Sequence, residues 1–159
     1  MKVKYLFPSK YKKIGWIILI PSFIFGLISF INGGFAPEFL TISVPSIISS
    51  ELFSEMKFFS LVKNNILDEI LLILVIVSSL MVAFSKEKTE DEFIAKIRLE
   101  SLVWAVYVNY GILLLSILFI YDLAFLNVMI FNMFTILLFF VIRFNWQLLK
   151  LKKSASYEE

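Results

Sequence analysis

Cysteine and histidine are both absent from the 159 residues. Together these absences remove disulfides, thiolate nucleophiles, imidazole bases and the commonest transition-metal ligands. Glycine is scarce, at 5 residues, so close helix approaches mediated by missing side chains are few. No Gly-rich phosphate loop, HExxH, GxSxG or DxDxDG pattern occurs, and a serine nucleophile would have no histidine base. The chain is therefore expected to be no enzyme, with no catalytic, cofactor-binding or metal-binding residues to assign. Asn-x-Ser/Thr acceptors are missing as well.

What fills the chain instead is apolar. Hydrophobic residues make up 60%, there are 18 Phe, and the mean hydropathy is +0.88. A soluble core cannot absorb that share. The expected fold is an all-α membrane protein, one integral domain over 1–159 built as a bundle of four transmembrane helices. The spans fall at about 14–31, 66–84, 102–120 and 123–142, long apolar runs whose only charges are Asp68 and Glu69 at the edge of the second.

The stretch that organises the rest runs from Thr89 to Tyr121, TEDEFIAKIRLESLVWAVYVNYGILLLSILFIY. It begins as a charged helix and continues without a breaker into apolar sequence, so helix 3 should extend beyond the membrane as one rod. Thr89 with Glu92 three residues later reads as a capping box. Lys96 lies four residues from both Glu92 and Glu100, each pair adding roughly 0.2–0.5 kcal/mol at an exposed helix end. Tyr121-Asp122 is nearly the whole connection to span four, so spans three and four should form a tight antiparallel hairpin.

Residues 1–13 are basic and aromatic and directly precede span one, which suits an anionic membrane surface better than nucleic acid. The first span lacks a small-x-small cleavage site after it, which favours a retained span over a signal peptide. Within it Pro21 should kink the helix, and Ser22, Gly26 and Ser29 form a small-residue stripe for a neighbouring helix. The segment 32–65 holds two patterns. Phe39–Ile48 is extended and β-branched, broken by Pro45; Ser50–Val62 places Leu52, Phe53, Met56, Phe59 and Val62 at helical spacing, suggesting an amphipathic helix that lies on the outer membrane face or caps the bundle, with a ligand-facing cap as the alternative.

Thirteen of the fifteen Lys and Arg residues lie in the N-terminus, in 85–101 and after Ile142; Lys57 and Lys63 are the others. The positive-inside rule then puts both termini and the 85–101 loop in the cytoplasm and the 32–65 segment outside. Partners implied are the lipid bilayer and a second copy or another membrane protein, with no nucleic acid.

Polar residues in the spans carry what chemistry there is. An unpaired amide in hydrocarbon is costly, so Asn109, Asn127 and Asn132 should find partners. Counted from the cytoplasmic ends, Asn109 lies at roughly 10 Å and Thr135 at roughly 13 Å, with Asn132 near 18 Å. Asn109 with Thr135 is the better depth match. Interhelical glue and a polar ligand path both remain open. Glu100 and Arg143 reach similar depth on adjacent helices and are expected to form an ion pair, with Arg98 competing for the acid and snorkelling to phosphates the alternative for Arg143. Asn65 is a natural N-cap for span two, and Asp68 and Glu69 at its outer edge either complement the helix dipole or form a cation or proton site.

The block KEKTEDEFIAKIRLESLVWAVYVNYG, with FNMFT and VIRFN in span four, resembles a group of small, uncharacterised four-span bacterial inner-membrane proteins over residues 85–147. The resemblance implies a bacterial cytoplasmic membrane and carries no activity, ligand or functional residue. Function on this reading is that of an interaction, sensory or regulatory subunit. The alternatives are a small transporter or channel component with a path through Asn109, Asn127 and Asn132, or a membrane enzyme using Asp68, Glu69 or Tyr121.

Overall fold

A computed structural model describes residues 5–32, 37, 40–49, 57–88 and 90–155. The described residues are mostly helical, at 74%, with four helices and one small sheet among them. In order these are α1 (Lys10–Ile31), β1 (Thr41–Ser49), β2 (Lys57–Asn65), α2 (Leu67–Ala83), α3 (Glu92–Phe119) and α4 (Asp122–Ala155). Among the described residues three helical stretches are long and apolar enough to cross a membrane: Lys10–Ile31, Glu92–Phe119 and Ala124–Ser154. At 17 residues α2 rises only about 25 Å, short of a hydrocarbon core of about 30 Å.

The expected rod is present. At 28 residues α3 runs unbroken from charged to apolar sequence and is about 42 Å long, longer than a bilayer core is thick. Its start differs from the expected capping box. Asp91 is the N-cap, its Oδ1 accepting the Ile94 N–H at 2.8 Å, while Thr89 lies outside the described residues. An aspartate one residue before the first turn competes well for the orphan N–H groups, which explains the shift.

Only Ile120 and Tyr121 separate α3 from α4, and Asp122 turns the chain with φ 56°. Trp104 meets Phe139 edge-on at 6.4 Å and Arg98 lies over Phe144, so the two helices run antiparallel. Along α3 the buried positions are Ile94, Ile97, Arg98, Ser101, Ala105, Asn109 and Ser116. Those of α4 are Phe134, Phe140, Val141, Phe144 and Leu148. Small or polar residues on one helix thus face large aromatics on the other at three- and four-residue spacing, the arrangement that ridges-into-grooves packing requires.

The all-α expectation needs one correction. Two antiparallel strands, β1 and β2, pair in a regular register from Thr41 with Asn65 to Ser49 with Lys57. The helix expected over Ser50–Val62 is absent from its described part, because Lys57–Val62 belongs to β2; residues 50–56 lie outside the described residues. Phe58, Phe59 and Val62 favour a pleated strand once the β-branched β1 offers a partner, and six residues are too few to hold a helix. Pro45 sits within β1 opposite Leu61. A two-stranded ladder leaves one edge of each strand unpaired, where the missing N–H is tolerated.

By contact the chain divides into two compact units, one of Met1–Ile20 with Val75–Glu159 and one of Pro21–Leu74. In the first unit α1 and α2 approach closely at Gly15. A Cβ there would stand 2.8 Å from Val82 Cγ2 and 3.1 Å from both the Ser78 carbonyl oxygen and the Val82 nitrogen. The expected small-residue stripe fares differently: Ser22 and Ser29 are buried, but a Cβ at Gly26 would meet nothing within 4 Å. In the second unit, Asn65 ties the hairpin to α2. Its Oδ1 accepts the Leu67 N–H at 3.1 Å, and its Nδ2 donates to the Pro37 carbonyl at 2.9 Å and to Thr41 Oγ1 at 3.3 Å. The Ile66 N–H adds a bond to the Leu40 carbonyl at 3.1 Å.

Candidate functional site

Two ion pairs and a backbone bridge form a latch at the end of the first unit where α1 begins, α2 ends and α3 begins. Its backbone part is a parallel bridge between Phe7 and Ser85. The Phe7 N–H donates to the Phe84 carbonyl at 2.8 Å and the Lys86 N–H to the Phe7 carbonyl at 2.9 Å. These bonds fasten the segment before α1 to the chain leaving α2.

Two ion pairs complete it. Lys12 on α1 pairs with Glu87. Arg98 on α3 donates from Nη1 to Glu90 Oε1 at 2.6 Å and from Nη2 to Glu90 Oε2 and the Ser85 carbonyl, both at 3.3 Å. The Glu87 N–H donates to Glu90 Oε2 at 2.9 Å, which links the pairs. Both cations pack against one ring: Lys12 Nζ is 5.6 Å and the Arg98 guanidinium carbon 5.0 Å from the Phe144 centroid. Phe144 is fully buried and stacks on Phe140, which stacks on Phe84.

Burial makes the Arg98 pair the costly one. Its side chain is 7% exposed against 26% for Glu90, and Nε has no partner. A guanidinium that deep is tolerable only with a carboxylate in place, because removing charge from water costs several kcal/mol per ion. Arginine suits the position better than lysine: its planar group can lie against an aromatic face while its edge bonds a carboxylate at two points. The latch therefore behaves as a net-neutral clip whose halves come from separate elements, and it holds only while each acid keeps its own base.

The predicted site residues are placed as follows. Glu100 and Arg143 are not paired with each other. Glu100 meets Lys96 at 3.9 Å on the exposed side of α3, and the Arg143 guanidinium lies 4.7 Å from the Trp104 ring with Nε buried and unbonded. Arg98 turns to Glu90 instead of Glu100 because Arg98 lies on the buried face of α3 and Glu100 on the wet one. Asn109 is buried, and its Oδ1 has no partner. The expected match, Thr135, spends its hydroxyl on the Phe131 carbonyl of its own helix, as threonine does one turn back. Asn132 is half-buried and Asn127 exposed. Asp68 is exposed; Glu69, also exposed, accepts from Asn64 Nδ2 at 2.6 Å. Tyr121 donates to the Leu118 carbonyl at 2.7 Å.

Glu90, Glu87, Lys12 and Phe144 are the participants that sequence reasoning missed. One signal was available: Phe144 and Arg98 fall at matching positions when the α3–α4 hairpin is counted from its turn. An open hollow on α3, lined by Leu99, Glu100, Val103, Trp104 and Tyr107, offers almost no polar surface. Among the described residues no group of three or more acids could hold a metal ion. Comparison with known protein families, with curated proteins and with solved structures finds no match to this chain.

Proposed function

We propose that the chain is a four-span, non-enzymatic protein of a bacterial cytoplasmic membrane, an interaction or regulatory subunit whose latched end faces the cytoplasm and meets its partner. The observation that carries this reading is the latch itself. Phe7 and Lys12 lie at the start of α1, and Phe84 to Glu87 directly follow α2, so the chain that leaves along α1 comes back along α2 to its starting end. If α1 crosses the bilayer, α2 must cross back. Its 17 residues lie at the lower limit for a span, and the bilayer or a few flanking residues can absorb the shortfall. The same end gathers Lys10, Lys12, Lys13, Lys86, Lys88, Lys96 and Arg98, as the positive-inside rule expects of a cytoplasmic face.

A clip joining the N-terminal segment, the α2–α3 connection and α4 suits regulation better than catalysis. A partner that captures Glu87 or Glu90 releases Lys12 or Arg98, so binding at this end changes how α1 and α3 are held. Exposed Phe93 and Leu99 on α3 offer apolar contact beside it. A transporter or channel component is the second reading, favoured by the buried, unpartnered Oδ1 of Asn109, which could line a wet path.

Three measurements test this. Because the chain has no native thiol, labelling in intact cells is expected to modify a cysteine at Lys88, exposed in the α2–α3 connection, only after permeabilisation and one at Lys63 without it; labelling of both from outside would overturn the topology. Photo-crosslinking from positions 93 and 99 in cells is expected to give one discrete adduct. The purified chain in proteoliposomes is expected to move neither ions nor small polar solutes, and flux that Asn109→Leu abolishes would replace the regulatory reading by the transport one.

A further inference from the structure

The hairpin of β1 and β2 exposes an unusual amount of apolar side chain for so small a sheet. Phe59 is 85% exposed, Leu61 75%, Ile47 69%, Phe58 66% and Ile48 59%. A lone two-stranded hairpin is at best marginally stable in water, so something must cover these groups. By the alternation of the pleat Ile47, Phe59 and Leu61 share one face with Lys57 and Lys63, while Ile48 and Phe58 pair on the other. We infer that the hairpin lies flat in the headgroup boundary of the membrane that α1 and α2 enter, the face of Ile47, Phe59 and Leu61 against the acyl chains and Lys57 and Lys63, on that same face, reaching the lipid phosphates.

Three observations select lipid over another protein. The base of the hairpin is tied to the start of α2 by Ile66 and Asn65, with α2 beginning at Leu67, so on the four-span reading, on which this inference rests, the sheet starts at the bilayer surface. The described strands carry Lys57 and Lys63 and no acid, a charge that complements phosphate; lysine stems lie along apolar surface while the ammonium reaches the polar layer. The edges are poor templates for a second copy, because Pro45 interrupts β1 and β2 carries Lys57 and Lys63, both devices that block edge-to-edge pairing. Phe59 adds a fourth point: it holds φ 53°, a strained conformation for a bulky residue. A ring kept in that state and almost fully exposed has lost its best local packing and is available to the membrane.

The orientation is measurable because a strand rises about 3.3 Å per residue. The full-length protein carries single nitroxide labels at Ile42→Cys, Ile48→Cys, Phe58→Cys and Leu61→Cys, in vesicles of phosphatidylcholine with phosphatidylglycerol, and power saturation with oxygen and a nickel chelate reads depth. The label at 61 is expected on the order of 5–10 Å inside the headgroup boundary, and those at 42, 48 and 58, on the opposite face, at one shared shallower depth. Replacing Lys57 and Lys63 together by glutamine is expected to shift the docked-to-undocked ratio about 25-fold towards water. An upright hairpin would overturn the inference: the label at 58 would stand in water roughly 20 Å beyond residue 64. Spin–spin broadening that vanishes on dilution with unlabelled chain would overturn it too, by assigning the surface to a second copy. A label at Ile73→Cys in α2 reports the span separately, so oxygen-accessible 73 with water-exposed 58 and 61 refutes the hairpin docking alone.

Discussion

Glu90→Gln should destabilise this protein more than Arg98→Met, although the arginine is the larger and more buried side chain. The substitution at 90 keeps shape and removes charge, leaving the guanidinium, 7% exposed, without a counter-ion. Stranding one member of a buried pair costs about 3–5 kcal/mol. The Ser85 carbonyl at 3.3 Å and the Phe144 ring at 5.0 Å remain and return about 1 kcal/mol, for a net loss of about 2–4 kcal/mol. Methionine at 98 leaves no buried charge, fills similar volume, and frees a Glu90 that is 26% exposed and can rehydrate; the loss is about 1 kcal/mol of cation–π and hydrogen bonding. The double variant should resemble Arg98→Met alone, well short of the sum of the two. The assay is SDS titration of the purified protein in mild detergent, followed by far-ultraviolet circular dichroism. If Arg98→Met costs more than Glu90→Gln, or the two effects add, the neutral-clip account of the latch is refuted.

Gly15→Ala should destabilise by about 1–3 kcal/mol, since its Cβ would press on Val82 and on backbone atoms of α2; Gly26→Ala, with open space around it, should be neutral or stabilising by about 0.5 kcal/mol, both read by the same titration. Asn65→Ala removes the α2 cap and two bonds to the hairpin base, a loss of about 1–2 kcal/mol seen as faster amide exchange in β1 and β2; Asn65→Asp, which keeps the cap acceptor, should lose less. Asn109→Leu removes a buried acceptor that has no partner and should leave stability unchanged or raise it by about 1 kcal/mol; a large loss in thermal unfolding would mean that Asn109 is bonded after all.

Much of the architecture was legible because it depends on local properties. Runs without charge, the unbroken passage from TEDEFIAKIRLE into apolar sequence, and a connection too short for anything but an antiparallel return all follow from neighbouring residues. So does the cap that Asn65 supplies to α2. The hairpin was half legible: the β-branched character of Phe39–Ile48 indicated extended chain, while its partner carried an apolar spacing compatible with either period, and only pairing with β1 decides between them.

The sequence by itself determined that this chain is apolar, helical, poor in catalytic side chains and carries its basic charge at few places, since composition and period are properties of each segment alone. Tertiary structure decided which acid meets which base, that Gly15 and not Gly26 is the close approach, that residues after Lys57 form a strand, and that two cations share the face of Phe144. Those outcomes depend on the rotation of each helix about its axis. A turn of one residue moves a side chain by about 100°, enough to carry it from the wet side of α3, where Glu100 lies, to the buried side, where Arg98 meets Glu90.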